Sequence, residues 1–128
     1  MTLHPLAKKS LVIGSAFLCL GVLIGAFGAH GLKNIVAIEK LVTFETGVRY
    51  HFYHALGMIL IGLIQQTFQT LRLNVSYYAF FAGILLFSFN CYFYVLTDIK
   101  TFAMIVPLGG LMFVLGWGAL TVQALKLR

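Results

Sequence analysis

Acidic residues are nearly absent from this sequence. Asp and Glu together number three among 128 residues, and charged residues of both signs make up only 9%. A typical soluble domain has about 25% charged and about 45–50% apolar residues. Here 61% of the residues are hydrophobic, more apolar surface than so short a chain can bury in its own interior. The composition excludes a soluble domain and predicts an integral membrane protein with one domain, residues 1–128.

The three acids, Glu39, Glu45 and Asp98, all lie outside the middle of the apolar runs. A carboxylate in the middle of a span is the usual mark of a proton-coupled exporter. The sequence also lacks a Ser/His/Asp set, a glycine-rich phosphate loop and a metalloprotease motif. These absences favour a non-enzymatic protein.

Cysteine is scarce as well. Cys19 and Cys91 both fall inside apolar runs, and the sequence has neither a Cys-x-x-Cys pair nor a Cys/His ligand spacing. We therefore expect small buried apolar side chains rather than a disulfide, and we predict no cofactor.

The sequence does have cations, with a net charge of +6, but they lie singly or in pairs at the edges of the apolar runs. That distribution suits lipid head groups, whereas nucleic-acid binding needs a basic patch with interleaved aromatic residues. We therefore predict the lipid bilayer as a partner and exclude nucleic acid.

The apolar runs predict four transmembrane helices at about residues 10–30, 48–68, 75–96 and 102–124, since a bilayer core requires about 20 residues. They follow a basic tail, residues 1–10. The fold class is therefore all-α, an integral membrane four-helix up-down bundle. A signal peptide is the alternative for the first run, which is too long for that role.

Between the first two runs, Ile35, Ile38 and Val42 fall on one helical stripe. This spacing predicts a short interfacial helix. The alternative is an N-terminal extension of helix two that is interrupted near Gly47.

The distribution of Lys and Arg predicts the orientation in the membrane. One side holds Lys8, Lys9, Arg72, Lys126 and Arg128, and the other holds Lys33, Lys40, Lys100 and, at its margin, Arg49. This bias predicts a bacterial inner-membrane protein with both termini in the cytoplasm. Because the bias is small, dual topology stays open.

Small residues mark the predicted helix contacts. Those of helix one share one face and predict a close helix–helix seam, because glycine lets a neighbouring backbone approach: Gly14, Gly21, Gly25 and Gly28. In helix four, Pro107, Gly109 and Gly110 predict a kink against a close neighbour, with ion coordination by freed carbonyls as the alternative.

The candidate polar site consists of His30, Glu45, Arg49, Tyr50, His54 and Asn90. Glu45 and Arg49 are one helical turn apart, which suits an ion pair. Since His30 ends helix one where helix two begins, we expect it to share a pocket near the outer interface with Arg49 and His54. The amide of Asn90 is expected to bond across helices, with a pore-lining role as the alternative.

A helical wheel divides helix two into sectors. Tyr50, His51 and His54 fall with the small residues on the sector that should face the bundle. The remaining arc is predicted to face lipid: Val48, Phe52, Ala55, Ile59 and Leu63.

Four hypotheses follow for the polar residues. His51 and His54, with His30 as a third ligand, could form a metal pair. Haem ligation is a second hypothesis, although tightly packed short helices leave little room for it. A site that handles protons or anions is a third. The fourth, which the sequence favours, is structural: the side chains anchor the helix end and join neighbouring helices.

Several motifs occur in the same order as in a known family: residues 25–32, 46–50, 53–56, 86–88, 107–110 and 116–117. By these motifs the chain resembles the YgdD-like family of small uncharacterised inner-membrane proteins, which has a human TMEM-type relative. The resemblance implies four helices and supplies no known site residues. The family usually has Gln at His51, which weakens a metal role there, and smaller residues at 89–91.

The functional prediction is a non-enzymatic accessory or interaction protein that works as a homo-oligomer or with a membrane-protein partner. The alternative is a small oligomeric channel or transporter for an ion or small solute, using the polar site at the outer end of helices one and two.

Overall fold

A computed structural model describes residues 2–127, so the predicted roles of Met1 and Arg128 lie outside the described residues. Four helices follow one another: α1 Pro5–Leu32, α2 Ile38–Thr67, α3 Asn74–Thr97 and α4 Lys100–Ala124. Residues 2–127 contain no strand. The predicted all-α four-helix fold is confirmed.

Three helices, α1, α3 and α4, are long and apolar enough to cross a membrane. The remaining helix, α2, has 30 residues but carries more polar side chains than the other three. It packs along α1 on one side and against α3 on the other, while α4 packs mainly along α3. Within α2, His51, His54 and Gln65 are buried against neighbouring helices, whereas Glu45 and Arg49 are exposed nearer its start.

The first helix begins at Pro5, inside the segment predicted to be a tail. The ring Nδ1 of His4 accepts a hydrogen bond from the Leu6 amide at 3.1 Å, which caps the helix. Proline at the first helical position has no amide that needs a partner. The basic residues Lys8 and Lys9 therefore belong to α1.

Helix two begins at Ile38, well before the predicted start at residue 48. The alternative of an N-terminal extension was right, but the interruption near Gly47 was wrong. Gly47 is helical and lies directly against α3, where a Cβ would lie 2.9 Å from the Cβ of Cys91. As a consequence, His51 and His54 lie near the middle of α2 rather than at its outer end.

The predicted glycine packing of α1 is confirmed. Four glycines of α1 face bulky side chains of α2, in the pairs Gly14–Ile59, Gly21–Phe52, Gly25–Val48 and Gly28–Phe44. We call this contact the glycine seam. It corrects the prediction that the arc with Val48, Phe52, Ala55 and Ile59 faces lipid: this arc faces α1, because glycines on one helix need bulk opposite them to fill the contact. Only Leu63 of the predicted arc is strongly exposed.

In α3, Ile84–Phe89 is a π-helical segment. The Asn90 amide Nδ2 donates to the carbonyl oxygens of Leu85 at 3.1 Å and Leu86 at 3.0 Å. The expected bond to another helix is therefore wrong, because the π-helical segment leaves carbonyls in the same helix that need donors.

The π-helical segment also contacts α4 closely. Gly109 lies against the backbone at Phe87, where a Cβ would overlap main-chain atoms. Pro107 lies inside α4, half a turn before this contact. Gly109 therefore has a close neighbour, while the kink predicted at Pro107, Gly109 and Gly110 stays a prediction.

Candidate functional site

A groove with a volume of about 790 Å³ opens sideways between α2 and α4. We call it the aromatic groove. Its lining is mostly rings: Tyr50, Tyr53 and His54 of α2, Phe87 of α3, and Gly110, Phe113, Val114 and Trp117 of α4. Tyr53 is 58% exposed and Val114 67% exposed, so the groove is open to the surrounding bilayer.

His54 forms the inner wall of this groove. Its ring stacks on Phe113 with centroids 3.4 Å apart. The indole Nε1 of Trp117 lies 3.1 Å from its Nε2, and the carbonyl oxygen of Tyr50 lies 2.7 Å from its Nδ1. Because an indole N–H can only donate, Nε2 accepts and Nδ1 carries the proton that it donates to Tyr50.

Both nitrogens of His54 are therefore occupied in its neutral form. A metal ion would need the lone pair that already accepts from Trp117, and so would an incoming proton. The imidazole consequently shows the groove its ring face and edge rather than a free polar atom. Because of its contacts with Trp117 and Tyr50, His54 has no free hydrogen-bonding atom, and it contributes mainly apolar ring surface to the wall of the groove.

His51 lies on a different side of α2, fully buried between α1 and α3. Its Nδ1 is 3.1 Å from the Tyr92 hydroxyl, and its ring meets Phe17 and Phe89 edge to face. Its Nε2 has no hydrogen-bond partner in residues 2–127. Sequence reasoning gave His51 little weight; its central position in α2 is the signal that was missed, because the helix start was placed too late.

The predicted Glu45–Arg49 ion pair does not form. Arg49 instead donates from Nη2 to the Thr46 hydroxyl at 3.1 Å, since that acceptor is closer along the helix. The ion pair seen in the described part of the chain joins Lys40 Nζ to Asp98 Oδ1 at 2.7 Å. Its position ties the start of α2 to the turn between α3 and α4.

The predicted shared pocket of His30, Arg49 and His54 is also wrong. Arg49 and Glu45 line a small pocket of about 280 Å³ at the Gly25–Gly28 end of the glycine seam. His54 lines the aromatic groove, and His30 is exposed at the end of α1 and lines neither. Arg49 and His54 project from different sides of α2, Arg49 exposed and His54 buried, so they share no pocket.

A metal site would require several of these donors to converge. Within residues 2–127, no three His, Cys, Asp or Glu side chains lie close enough to hold an ion. His51 and His54 diverge towards different helices, so the predicted pair has no common focus. Tyr50 belongs to the aromatic groove, and Asn90 belongs to the π-helical segment of α3.

Comparison with known proteins gives the same class of molecule. Residues 24–110 match the family described as Protein of unknown function (DUF423). A UPF0382 membrane protein of Staphylococcus epidermidis is 35% identical over 93% of this chain and 97% of its own length. The UPF0382 membrane protein YwdK of Bacillus subtilis is 36% identical over 93% of this chain and 98% of its own. No solved structure matches the chain.

Proposed function

The chain belongs to the DUF423 family, whose UPF0382 relatives are membrane proteins, and from that premise we propose that it is a non-enzymatic accessory protein that binds a hydrocarbon chain of a membrane lipid in the aromatic groove. One observation carries the proposal: the groove opens to the bilayer, and the ring nitrogens in its wall are bonded to each other or to the backbone. A hydrocarbon chain forms no hydrogen bonds, so an apolar surface is sufficient to bind it.

The size of the groove favours a lipid chain over a protein helix. Along α4 it extends from Gly110 to Trp117, about 10 Å at 1.5 Å per residue. A transmembrane helix of a partner would follow its neighbour for about 30 Å of bilayer. The volume of about 790 Å³ falls in the range of about 300–1,000 Å³ that holds single small ligands.

The proposal includes the bacterial inner membrane and cytoplasmic termini. The helix ends near the termini carry four cations and no acid among the described residues: Lys8, Lys9, Arg72 and Lys126. The opposite ends carry four cations as well, Lys33, Lys40, Lys100 and Arg49, together with all three acids of the chain. With Arg128 counted from the sequence, the side of the termini has five cations against four, and this small excess supports the orientation, because positive loops stay in the cytoplasm. We also propose that the chain is related to the YgdD-like proteins, with their human TMEM-type relative, because its motifs resemble theirs.

The single tryptophan of the chain makes the proposal testable. Trp117 lies on the wall of the groove, so a phosphatidylcholine with brominated acyl chains should quench its fluorescence when it binds there. In detergent micelles we expect wild-type quenching to rise to a plateau at low fractions of brominated lipid. Gly110→Leu should remove the plateau, because its side chain fills the groove; a Cβ at Gly110 lies 3.8 Å from the Phe87 ring and fits without overlap.

The matched control is Leu111→Phe, which adds bulk to an exposed position of α4 outside the groove and should keep the plateau. Identical quenching curves for the wild type and Gly110→Leu would refute the proposal. So would a protein complex that shields Trp117 from brominated lipid, and that result would favour the homo-oligomer or membrane-protein partner predicted from the sequence.

A further inference from the structure

A second groove, of about 500 Å³, lies between α3 and α4 at the membrane end that carries the termini. We call it the inner groove. Its lining is aliphatic except at its mouth: Val75, Val114, Leu115, Gly118, Ala119 and Val122, with Arg72 and Gln123 at the end. A Cβ on Gly118 would meet nothing within 4 Å, so this position leaves open space in the groove.

The inner groove has the length of one lipid leaflet. From Gln123 to Val114 it follows α4 for about 14 Å at 1.5 Å per residue. One leaflet is about 15 Å deep, half of a hydrocarbon core of about 30 Å. Val114 also lines the aromatic groove, so the two grooves meet at this residue.

The mouth of the inner groove is positively charged. Arg72 is exposed in the turn between α2 and α3, and its backbone N–H donates to the Gln123 side chain at 3.3 Å. This bond holds the turn against the last turns of α4, and Arg72 lines the mouth of the groove. Guanidinium groups bind phosphate through paired hydrogen bonds, and no acid of the described chain lies at this end to compete.

We propose that the inner groove binds an anionic phospholipid of the cytoplasmic leaflet, with its phosphate at Arg72 and an acyl chain that runs past Gly118 to Val114 and the aromatic groove. The inference rests on the proposed function and names the head group of its lipid. The aliphatic wall holds the chain, and the cation selects the charge. A zwitterionic lipid has the same chain but a head group without net charge, so it gains less at this position.

Lipid competition tests the inference. The full chain in detergent is mixed with equal amounts of phosphatidylglycerol and phosphatidylcholine, and bound lipids are counted by native mass spectrometry. We expect the wild type to retain more phosphatidylglycerol, and Arg72→Gln to reduce that preference about fivefold. Lys8→Gln removes one charge from the same end away from the groove and should keep the preference. Gly118→Leu should reduce retention of both lipids.

The outcomes separate this inference from the proposed function. Equal retention of both lipids by the wild type, or an unchanged preference in Arg72→Gln, would overturn it while the Trp117 quenching plateau still supports chain binding. Loss of the plateau in the wild type would instead refute the proposed function. The plateau in Arg72→Gln also shows that this variant is folded, because it depends on the α2–α4 contact.

Discussion

Helix α2 faces the apolar helices α1 and α4 in opposite ways. On the glycine seam, each glycine of α1 receives a large side chain of α2, and the two surfaces close on each other. At the aromatic groove, rings from α2 face rings from α4, and the helices are held apart with a volume of about 790 Å³ between them. Bulk against glycine fills a contact, whereas bulk against bulk leaves space beside it.

The comparison also separates stability from binding. Along the glycine seam the facing side chains fill the contact, apart from the pocket of about 280 Å³ at its Gly25–Gly28 end, so most of its residues serve the fold. The wall of the aromatic groove has two hydrogen bonds, from Trp117 to His54 and from His54 to the Tyr50 carbonyl oxygen, and the lining is otherwise mostly aromatic rings. We therefore expect substitutions on the seam to change stability most, and substitutions in the groove to change binding more than stability.

The largest effect is expected on the seam. Gly14→Ala adds a methyl group 2.8 Å from Ile59 and 3.0 Å from the Ala55 carbonyl oxygen, and the second of these atoms is backbone that cannot rotate away. Overpacking of this kind should lower the free energy of unfolding by about 1–3 kcal/mol. Equilibrium unfolding in mixed detergent micelles measures this loss of free energy. The matched control is Gly118→Ala, whose methyl group has open space, and equal losses in both variants would contradict the seam.

A smaller effect is expected in the groove. Trp117→Phe keeps a ring in the wall but leaves His54 Nε2 without its donor, which should cost about 1 kcal/mol of stability. In a double-mutant cycle with His54→Phe, the two losses should not add, because both remove the same bond. Additive losses would show that the bond does not contribute. Nitrogen NMR of His54 should show the proton on Nδ1 in the wild type.

The smallest effect lies outside both contacts, at the Lys40–Asp98 ion pair. The hydrogen bond and charge of Lys40 hold the pKa of the Asp98 carboxyl below its usual value. The folded chain then binds fewer protons than the unfolded chain at acidic pH. Its stabilisation is complete above the pKa of the unfolded carboxyl, about 3.9, and is lost as pH falls through the lower folded value.

Asp98→Asn tests this pair, because Asn tolerates the left-handed backbone at this position, where φ is 59°. At pH 7 the variant should have a slightly lower free energy of unfolding than the wild type. The difference between the two free energies should shrink below about pH 4. Lys40→Gln should give the same small loss, and the double variant should add nothing. A difference that persists at low pH would contradict a charge-based effect.

Patterns along the chain predicted much of the fold. The spacing of Gly14, Gly21, Gly25 and Gly28 predicted the seam, because one helix face can be calculated from sequence alone. The start of α2 was predicted too late, because its span was taken from the apolar run and the usual length of a transmembrane helix, and the extension to Ile38 was only the alternative. The predicted site failed because Arg49 and His54 face different surroundings, which depend on the helices that pack against each side of α2.

By itself, the sequence determined that this protein lies in a membrane, forms four helices and packs α1 through glycine. These properties depend on composition and on spacing within one helix, which the chain carries locally. Only the tertiary structure decided which nitrogen of His54 carries the proton. That choice depends on the hydrogen bond from Trp117, which is 63 residues away in the sequence. The tertiary structure also decided that two grooves lie along α4. A groove is the space between helices, and the sequence of one helix does not show which neighbour packs against each of its faces.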